Sequence, residues 1–332
     1  MIAMRSTNAL RCAIAACLGL STSALAGVVP VSAQDYPGGN IRFIVNVSAG
    51  GVTDTLARIV GQGLTERWGR PVLVENRVGG NSAVAAQAVA RAPADGLTLF
   101  VTADAPFTAT PFMVKHLNFS LADFTPIVVI CRLVPVLAVN ASLGIKTIDA
   151  FIARAKSNGA PLSYASQGVG TYGHLGMEDF KRRAGIDLVH VPYRGGAPAL
   201  EGLVRGDVAA LINNYANLAL FEESAKVNII AAAGPRRTEL RPHLPTIGES
   251  GVPGFFVSTW FGIFGPANMA PELVGKIRDG ISSVLSSDKS VEHLKSNSCE
   301  RMNATPQQFR DLILADAQYW RGVIDAVGIK PE

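Results

Sequence analysis

Beyond residue 40 the apolar positions alternate between two periods. Short β-branched runs occupy residues 41–47, 71–75 and 97–102, and each reads as a strand. Between them, Leu56, Ile59, Val60 and Leu64 fall on one helical face, and 82–91 is an Ala-rich helix stopped near Pro93. Thr53 or Asp54 can cap the first helix, and Gly69 with Pro71 ends it. This alternation predicts an α/β fold with mainly parallel sheets. The pattern changes at 127–130 and 134–139, two consecutive strands with little between them, which suits a crossing between lobes.

A second series follows. Residues 147–157 are helical, with Ile148, Phe151, Ile152 and Ala155 on one face. Strand 162–165 leads through loop 166–171 to a helix carrying Leu175, Met177 and Phe180. Strand 188–191 leads through turn 192–196 to a helix whose first turn suits Pro198. Strands 209–212 and 229–233 come next, then a Gly-Val-Pro-Gly loop and an aromatic-rich extended stretch at 255–264 that reads as the return crossing. Two amphipathic helices close the chain, one with Leu273, Val274, Ile277, Ile281 and Leu285 inward, the other with Phe309, Leu312, Ile313 and Trp320 inward. The expected organisation is two α/β lobes joined by two or three crossings, the second inserted in the first. Lobe 1 comprises 34–133 and 257–332, lobe 2 comprises 134–256, and the hinges lie near 132–135 and 254–259.

Residues 1–33 read as a secretory signal peptide. Arg5 and Arg11 supply the basic start, 12–20 is an apolar stretch too short to span a bilayer, and small-x-small sites at Ala24-Leu25-Ala26 and Val31-Ser32-Ala33 place cleavage near 26 or 33. Ile14-Ala15-Ala16-Cys17 resembles a lipoprotein signal, but the apolar run continues past Cys17, which favours soluble export to the periplasm. After residue 33 there is no apolar run of about 18 residues, so the mature chain is not expected to cross a membrane.

The 332 residues carry 30 Lys and Arg against 26 Asp and Glu, a net charge of +4 that falls to +2 without Arg5 and Arg11. So neutral a body is a poor nucleic-acid binder, because that affinity comes from neutralising phosphates, and no nucleic-acid partner is expected. Cys131 and Cys299 survive removal of the signal. An oxidising compartment lets them pair, but nothing local brings them together, and two separate buried thiols are the alternative. With no CxxC and five scattered histidines (116, 174, 190, 243, 293), no metal site is expected.

Three segments share one grammar, a β-rich run, a Gly-rich or polar loop, then a helix start: 48–54 (SAGGVTD), 166–174 (SQGVGTYGH) and 192–198 (PYRGGAP). Such loops bring backbone N–H groups to the positive end of a helix dipole and can hold a carboxylate or phosphate without a lysine. Any one of them is explained by an ordinary tight turn; three across two lobes point to a ligand cleft outside the carboxyl ends of the strands. The candidates are Ala49, Gly50, Gly51, Thr53 and Asp54 in the first, Ser166, Gly168, Gly170, Thr171 and His174 in the second, and Tyr193 in the third. Gly168-x-Gly170-x-x-Gly173 also spells a dinucleotide fingerprint, which makes an NADP-dependent oxidoreductase an alternative. The acidic residue that such a motif expects about 20 positions on is missing, since the next strand ends in Val191-Pro192-Tyr193-Arg194. A hydrolase using His174 with Ser166 or Thr171 is a second alternative, in which no third group orients the histidine. No GxSxG, HExxH or GxxxxGK[ST] occurs. A non-enzymatic binding protein without cofactor is the reading that fits.

At these loops the chain resembles the Bug family, the extracytoplasmic solute receptors of tripartite tricarboxylate transporters. The landmarks come in family order: Tyr36-Pro37 with Ile41-Arg42, Ala49-Gly50-Gly51 with Thr53-Asp54, Glu75-Asn76-Arg77, and Asp95-Gly96-x-Thr98-Leu99. Tyr164-Ala165-Ser166, Gly168-x-Gly170-Thr171, His174-Leu175, His190-Val191-Pro192-Tyr193, Ala197-Pro198-Ala199, Leu244-Pro245-Thr246 and Trp260-Phe261-Gly262 complete the series. The resemblance implies a type II periplasmic-binding-protein fold, two α/β lobes around a hinged ligand cleft, closing on a small di-, tri- or aromatic carboxylate. The first loop and the 166–171 loop would grip the proximal carboxylate from opposite lobes. It implies a monomer that delivers its ligand to a membrane permease of the tripartite tricarboxylate type, or serves a sensing system.

The departures from the family pattern fall mainly in the pocket loops. Asn46-Val47-Ser48 stands where the family usually has Pro-Phe-Pro, Val52 where a small hydroxyl residue is common, and Gln167, Val169, Tyr172 and Gly173 replace small polar residues. Asn213 stands where Asp is frequent; its amide both donates and accepts but offers a ligand amine no charge, which argues against an amino-acid ligand. Val47, Val52, Phe107, Gln167 and Tyr172 are further pocket candidates. Phe107 and Tyr172 either stack on an aromatic acid or pack in the core.

Overall fold

The computed structural model describes residues 36–331 except Val134, Asn158 and Ser258. The expected signal peptide and both cleavage sites lie outside the described residues, as do Val134 and Ser258 in the expected hinges. The elements run β1 (Ile41–Val45), α1 (Val52–Trp68), β2 (Val72–Asn76), α2 (Ala83–Ala90), β3 (Thr98–Ala103), α3 (Ala105–Thr108), β4 (Phe124–Leu133) and β5 (Pro135–Asn140). Then come α4 (Ile148–Lys156), β6 (Ser163–Ser166), α5 (Tyr172–Ala184), β7 (Val189–Pro192), α6 (Gly196–Arg205), β8 (Ala210–Asn214), α7 (Tyr215–Glu223) and β9 (Val227–Ala232). The chain ends with β10 (Thr259–Pro266), α8 (Pro271–Leu285), α9 (Asp288–Ser296), β11 (Cys299–Arg301) and α10 (Pro306–Val327). Among the described residues no helix is long and apolar enough to cross a membrane.

Two sheets result, one ordered β11-β4-β10-β3-β1-β2 and the other β7-β6-β8-β5-β9. The expectation of mainly parallel sheets needs correction. The βα units pair in parallel, β1 with β2 and β3, and β6 with β7 and β8. The strands next to the crossings run antiparallel: β10 against β3 and β4, β11 against β4, and β5 against β8 and β9. A chain that leaves one sheet and returns enters each with reversed direction, so both sheets are mixed.

Successive residues of a strand point to opposite faces, and both faces of the first sheet are apolar. Phe43, Val45, Leu99 and Val101 meet Leu56, Val60 and Leu64 of α1 and Ile277 and Ile281 of α8. Their neighbours Ile44 and Phe100 face the other way, onto Ala85, Ala86 and Val89 of α2 and Phe309 and Ile313 of α10. The second sheet repeats the plan. Leu137, Val139 and Tyr164 lie under α4 and α5, and Val136, Ala138 and Leu211 under α6 and α7. Helix α10 starts at a Thr305/Gln308 capping box with Pro306 in its first turn. Its first half packs in the core beside the first sheet, whereas Trp320, Val323 and Ile324 pack in the core of the second. The last helix is therefore a third connection, after β4–β5 and the segment entering β10. A disulfide joins Cys131 of β4 to Cys299 of β11, which resolves the question that the sequence leaves open.

Candidate functional site

The carboxyl ends of the parallel strands decide where the three loops go. β1 leads into α1, β6 into α5 and β7 into α6, so each loop ends at a helix N-terminus whose opening N–H groups have no partner inside the helix. The two sets of strand ends face one another. A cavity of about 200 Å³ has Ala103, Asp104 and Ala105 on one side and Gly170, Thr171 and Tyr172 on the other. Gly170 (φ 80°) approaches so closely that a Cβ there would stand 3.0 Å from Met113 Sδ. The 48–51 loop follows β1, which lies beside β3 in the sheet.

Asp54 organises the first loop. It is 2% exposed and accepts from the Gly50 N–H (2.9 Å), from Arg58 through Nε and Nη2 (3.0 and 2.9 Å) and from Asn76 Nδ2 (2.9 Å). The Arg58 hydrogen bonds, helped by Gly50 and Asn76 against the cost of burial, hold its carboxyl down at about 2. Asp54 is thus committed to shaping the loop, with Gly50 in the left-handed region (φ 87°) that an L side chain resists. Thr53 is buried, Gly51 is the N-cap, and Ala49 is exposed at the tip. Val47 and Val52 pack their side chains against the first-sheet core.

A carboxyl with a lowered pKa stabilises the fold above its unfolded value and loses that contribution as pH falls through the folded one. Arg58 is half exposed, so screening limits the contribution to about 1–2 kcal/mol. Asp54→Asn is expected to cost that much in urea unfolding at pH 7, with the gap to wild type shrinking between pH 4 and pH 2. A gap independent of pH would contradict the assignment.

The second loop is closed by its own side chains. Thr171 Oγ1 donates to the Gly168 carbonyl (2.8 Å), Ser166 Oγ accepts from the Gly168 N–H (3.2 Å), and the Gly170 N–H donates to His174 Nδ1 (3.2 Å). His174 is 7% exposed and stacks on His190 at 4.2 Å; burial first, then the neighbouring imidazole, pulls its pKa down to about 4. His190 is also shifted down by burial, and its Nε2 lies 2.7 Å from Ser166 Oγ. This corrects the alternative that paired His174 with Ser166 or Thr171. The imidazole beside Ser166 belongs to His190, and His174 is occupied by a backbone amide. Gln167 Nε2 donates to the Ile212 carbonyl (2.8 Å), and its side chain fills the space that a Cβ on Gly173 would need. The third glycine therefore serves local packing within the loop.

The third loop brings Tyr193 in by its backbone, whose N–H donates to the Ser166 carbonyl (3.0 Å), while the tyrosine ring lies over Gly202 of α6 and packs in that core. Phe107 is corrected to a core residue. It is 5% exposed and sits in a cluster with Phe100, Phe119, Phe124 and Phe264. Tyr172 borders the inter-lobe cavity and donates to Asn213 Oδ1 (3.3 Å). Asn213 is 2% exposed, and Oδ1 also accepts from the Asn214 N–H (2.8 Å), which fixes the amide orientation. Its Nδ2 has no hydrogen-bond partner among the described residues and lies near Gly196 at the start of α6. A buried donor of this kind calls for an acceptor.

Sequence reasoning missed Asp104, Thr259 and His190. Asp104 is 4% exposed at the end of β3 and accepts from Thr259 Oγ1 at 2.5 Å. A lone carboxylate just after a predicted strand was the available signal. His190 meets Ser166 only through the parallel register of β6 and β7, which spacing in the sequence does not reveal.

The family model described as "Tripartite tricarboxylate transporter family receptor" matches residues 56–329. The protein BugT of Bordetella pertussis (strain Tohama I) is 32% identical over 310 residues, covering 92% of this chain and 95% of that one. Among solved structures, the R. palustris protein Rpa4515 with adipate superposes with a TM-score of 0.81 at 30% identity, covering 90% of this chain and all of its own. MatC from Rhodopseudomonas palustris with bound malate gives 0.75 at 26% identity, covering 87% of this chain and 100% of its own.

Proposed function

Because the chain belongs to the tripartite tricarboxylate transporter receptor family, we propose that it is an exported, periplasmic, non-catalytic receptor that captures a small carboxylic acid between its two lobes. The observation that carries this reading is the set of helix N-termini at facing strand ends, those of α1, α5 and α6, beside the unpartnered Asn213 amide. Helix N-termini attract anions through their unpaired N–H groups and dipole. Loops 48–54 and 166–174 would each give backbone donors to the ligand carboxylate, and Asn213 Nδ2 would take one of its oxygens. The adipate and malate held by two similar proteins support an acid as the ligand class.

An acid that touches both lobes only when they are close stabilises the closed state by the difference in contacts, which drives closure about hinges near 132–135 and 254–259. The disulfide supports an oxidising compartment. In this reading the closed monomer docks on a membrane permease or reports to a sensing system. The purified protein should show a rise in melting temperature with mono- or dicarboxylic acids and no turnover of them. Small-angle scattering should show compaction with the same acid. Turnover of the acid, or an unchanged radius at saturation, would defeat the proposal.

A further inference from the structure

The inter-lobe cavity of about 200 Å³ has an apolar wall: Ala103, Ala105 and Ala109 on the lobe 1 side, with Leu175, Phe261 and Trp320 closing it. Hydroxyl and amide side chains also border it, but their hydrogen bonds go elsewhere. Thr108 Oγ1 donates to the Asp104 carbonyl (3.1 Å), Thr259 Oγ1 to Asp104 Oδ1 (2.5 Å) and Gln167 Nε2 to the Ile212 carbonyl (2.8 Å). Thr171 Oγ1 donates to the Gly168 carbonyl (2.8 Å) and Tyr172 OH to Asn213 Oδ1 (3.3 Å). A second ligand carboxylate placed here would lose its water and find these hydroxyl and amide donors already engaged. A hydrocarbon group meets none of these costs, and a dry apolar cavity of about 150 Å³ is enough to take benzene.

We infer that this cavity, bordered by Gly170 and Thr171 of the second loop, is the subsite for the apolar tail of the ligand, so that the acid captured is a monocarboxylate bearing an alkyl or aryl group. The inference rests on the carboxylate-receptor reading above. It assigns Ala103, Ala105 and Trp320 to specificity and sets this chain apart from the relatives bound to adipate and malate.

The test is calorimetric titration of the mature chain with propionate, butyrate, hexanoate and benzoate against succinate and adipate. Affinity should rise about fourfold per added methylene until the cavity is full, and hexanoate should bind about tenfold or more tighter than adipate. Ala105→Leu, and separately Ala103→Val, put hydrocarbon into the cavity from half-buried positions. Each should weaken hexanoate and benzoate about tenfold, and propionate, whose tail is shorter, clearly less. If one variant fails to fold, the other and the homologous series still decide. Adipate binding as tightly as hexanoate, or filled variants that keep hexanoate affinity, would overturn the subsite while leaving the receptor reading intact. Failure of every mono- and dicarboxylate to bind would overturn both.

Discussion

Asp104→Asn is expected to raise the unfolding free energy at pH 8 by about 2–4 kcal/mol and to leave it nearly unchanged at pH 4. The Asp104 carboxyl is pushed up to about 7, chiefly by burial; the Thr259 hydroxyl opposes the shift and nearby Asp316 adds to it. The native state therefore keeps a proton that the unfolded chain releases near its ordinary value of about 4. Stability must fall as pH rises from about 4 through about 7, then level off. Asn keeps an oxygen to accept from Thr259 and carries no charge to bury. Urea unfolding between pH 4 and pH 8 measures both curves. A variant that follows the slope of wild type, or a wild type that gains stability across this range, would refute the account. A residue that weakens the fold at neutral pH while standing at a cavity between lobes is expected at a functional position.

The double substitution Cys131→Ser, Cys299→Ser is expected to cost about 2–5 kcal/mol. The bridge spans 168 residues of sequence, a loop that contains every strand of the second sheet, so its release restores much chain entropy to the unfolded state. Its local effect should fall on β11, which has three residues and, among the described residues, pairs only with β4. Thermal unfolding of wild type with and without dithiothreitol, beside the variant, reads the size of the effect. Reduced wild type should match the variant. Hydrogen exchange should show 299–301 loosening first. A loss below about 1 kcal/mol would mean that the pairing holds without the tether.

The periodic elements were legible. The face read from Leu273, Val274, Ile277, Ile281 and Leu285 is buried in α8, and Phe309, Ile313 and Trp320 are buried along α10. The strand-loop-helix grammar of the three Gly-rich segments appears in β1–α1, β6–α5 and β7–α6. What could not be read depends on register and on distant partners. The strand direction near the crossings follows from how the chain re-enters each sheet, not from any local run. α7 was missed because only Leu218 is buried in it and its apolar residues define no stripe. The Cys131–Cys299 bridge and the Asp104–Thr259 contact each join residues more than a hundred positions apart. The choice between cleft and core for Phe107 was open in the sequence, because an aromatic after a strand looks the same in either place; its ring cluster with Phe100, Phe119, Phe124 and Phe264 decides it.

The final helix has a mechanical consequence. Its midpoint is pinned by Asp316, which accepts from Trp260 Nε1 (2.9 Å), and its distal part by the Tyr319 hydroxyl on the Phe256 carbonyl (2.9 Å). Both contacts flank the start of β10, so a stiff rod of 22 residues runs alongside the return crossing, where the proposed closure would have to bend the chain. Such a splint resists stretching far more than rotation about its own length. Under the proposed closure it would favour a swivel over a stretch, with Trp320 turning within its packing.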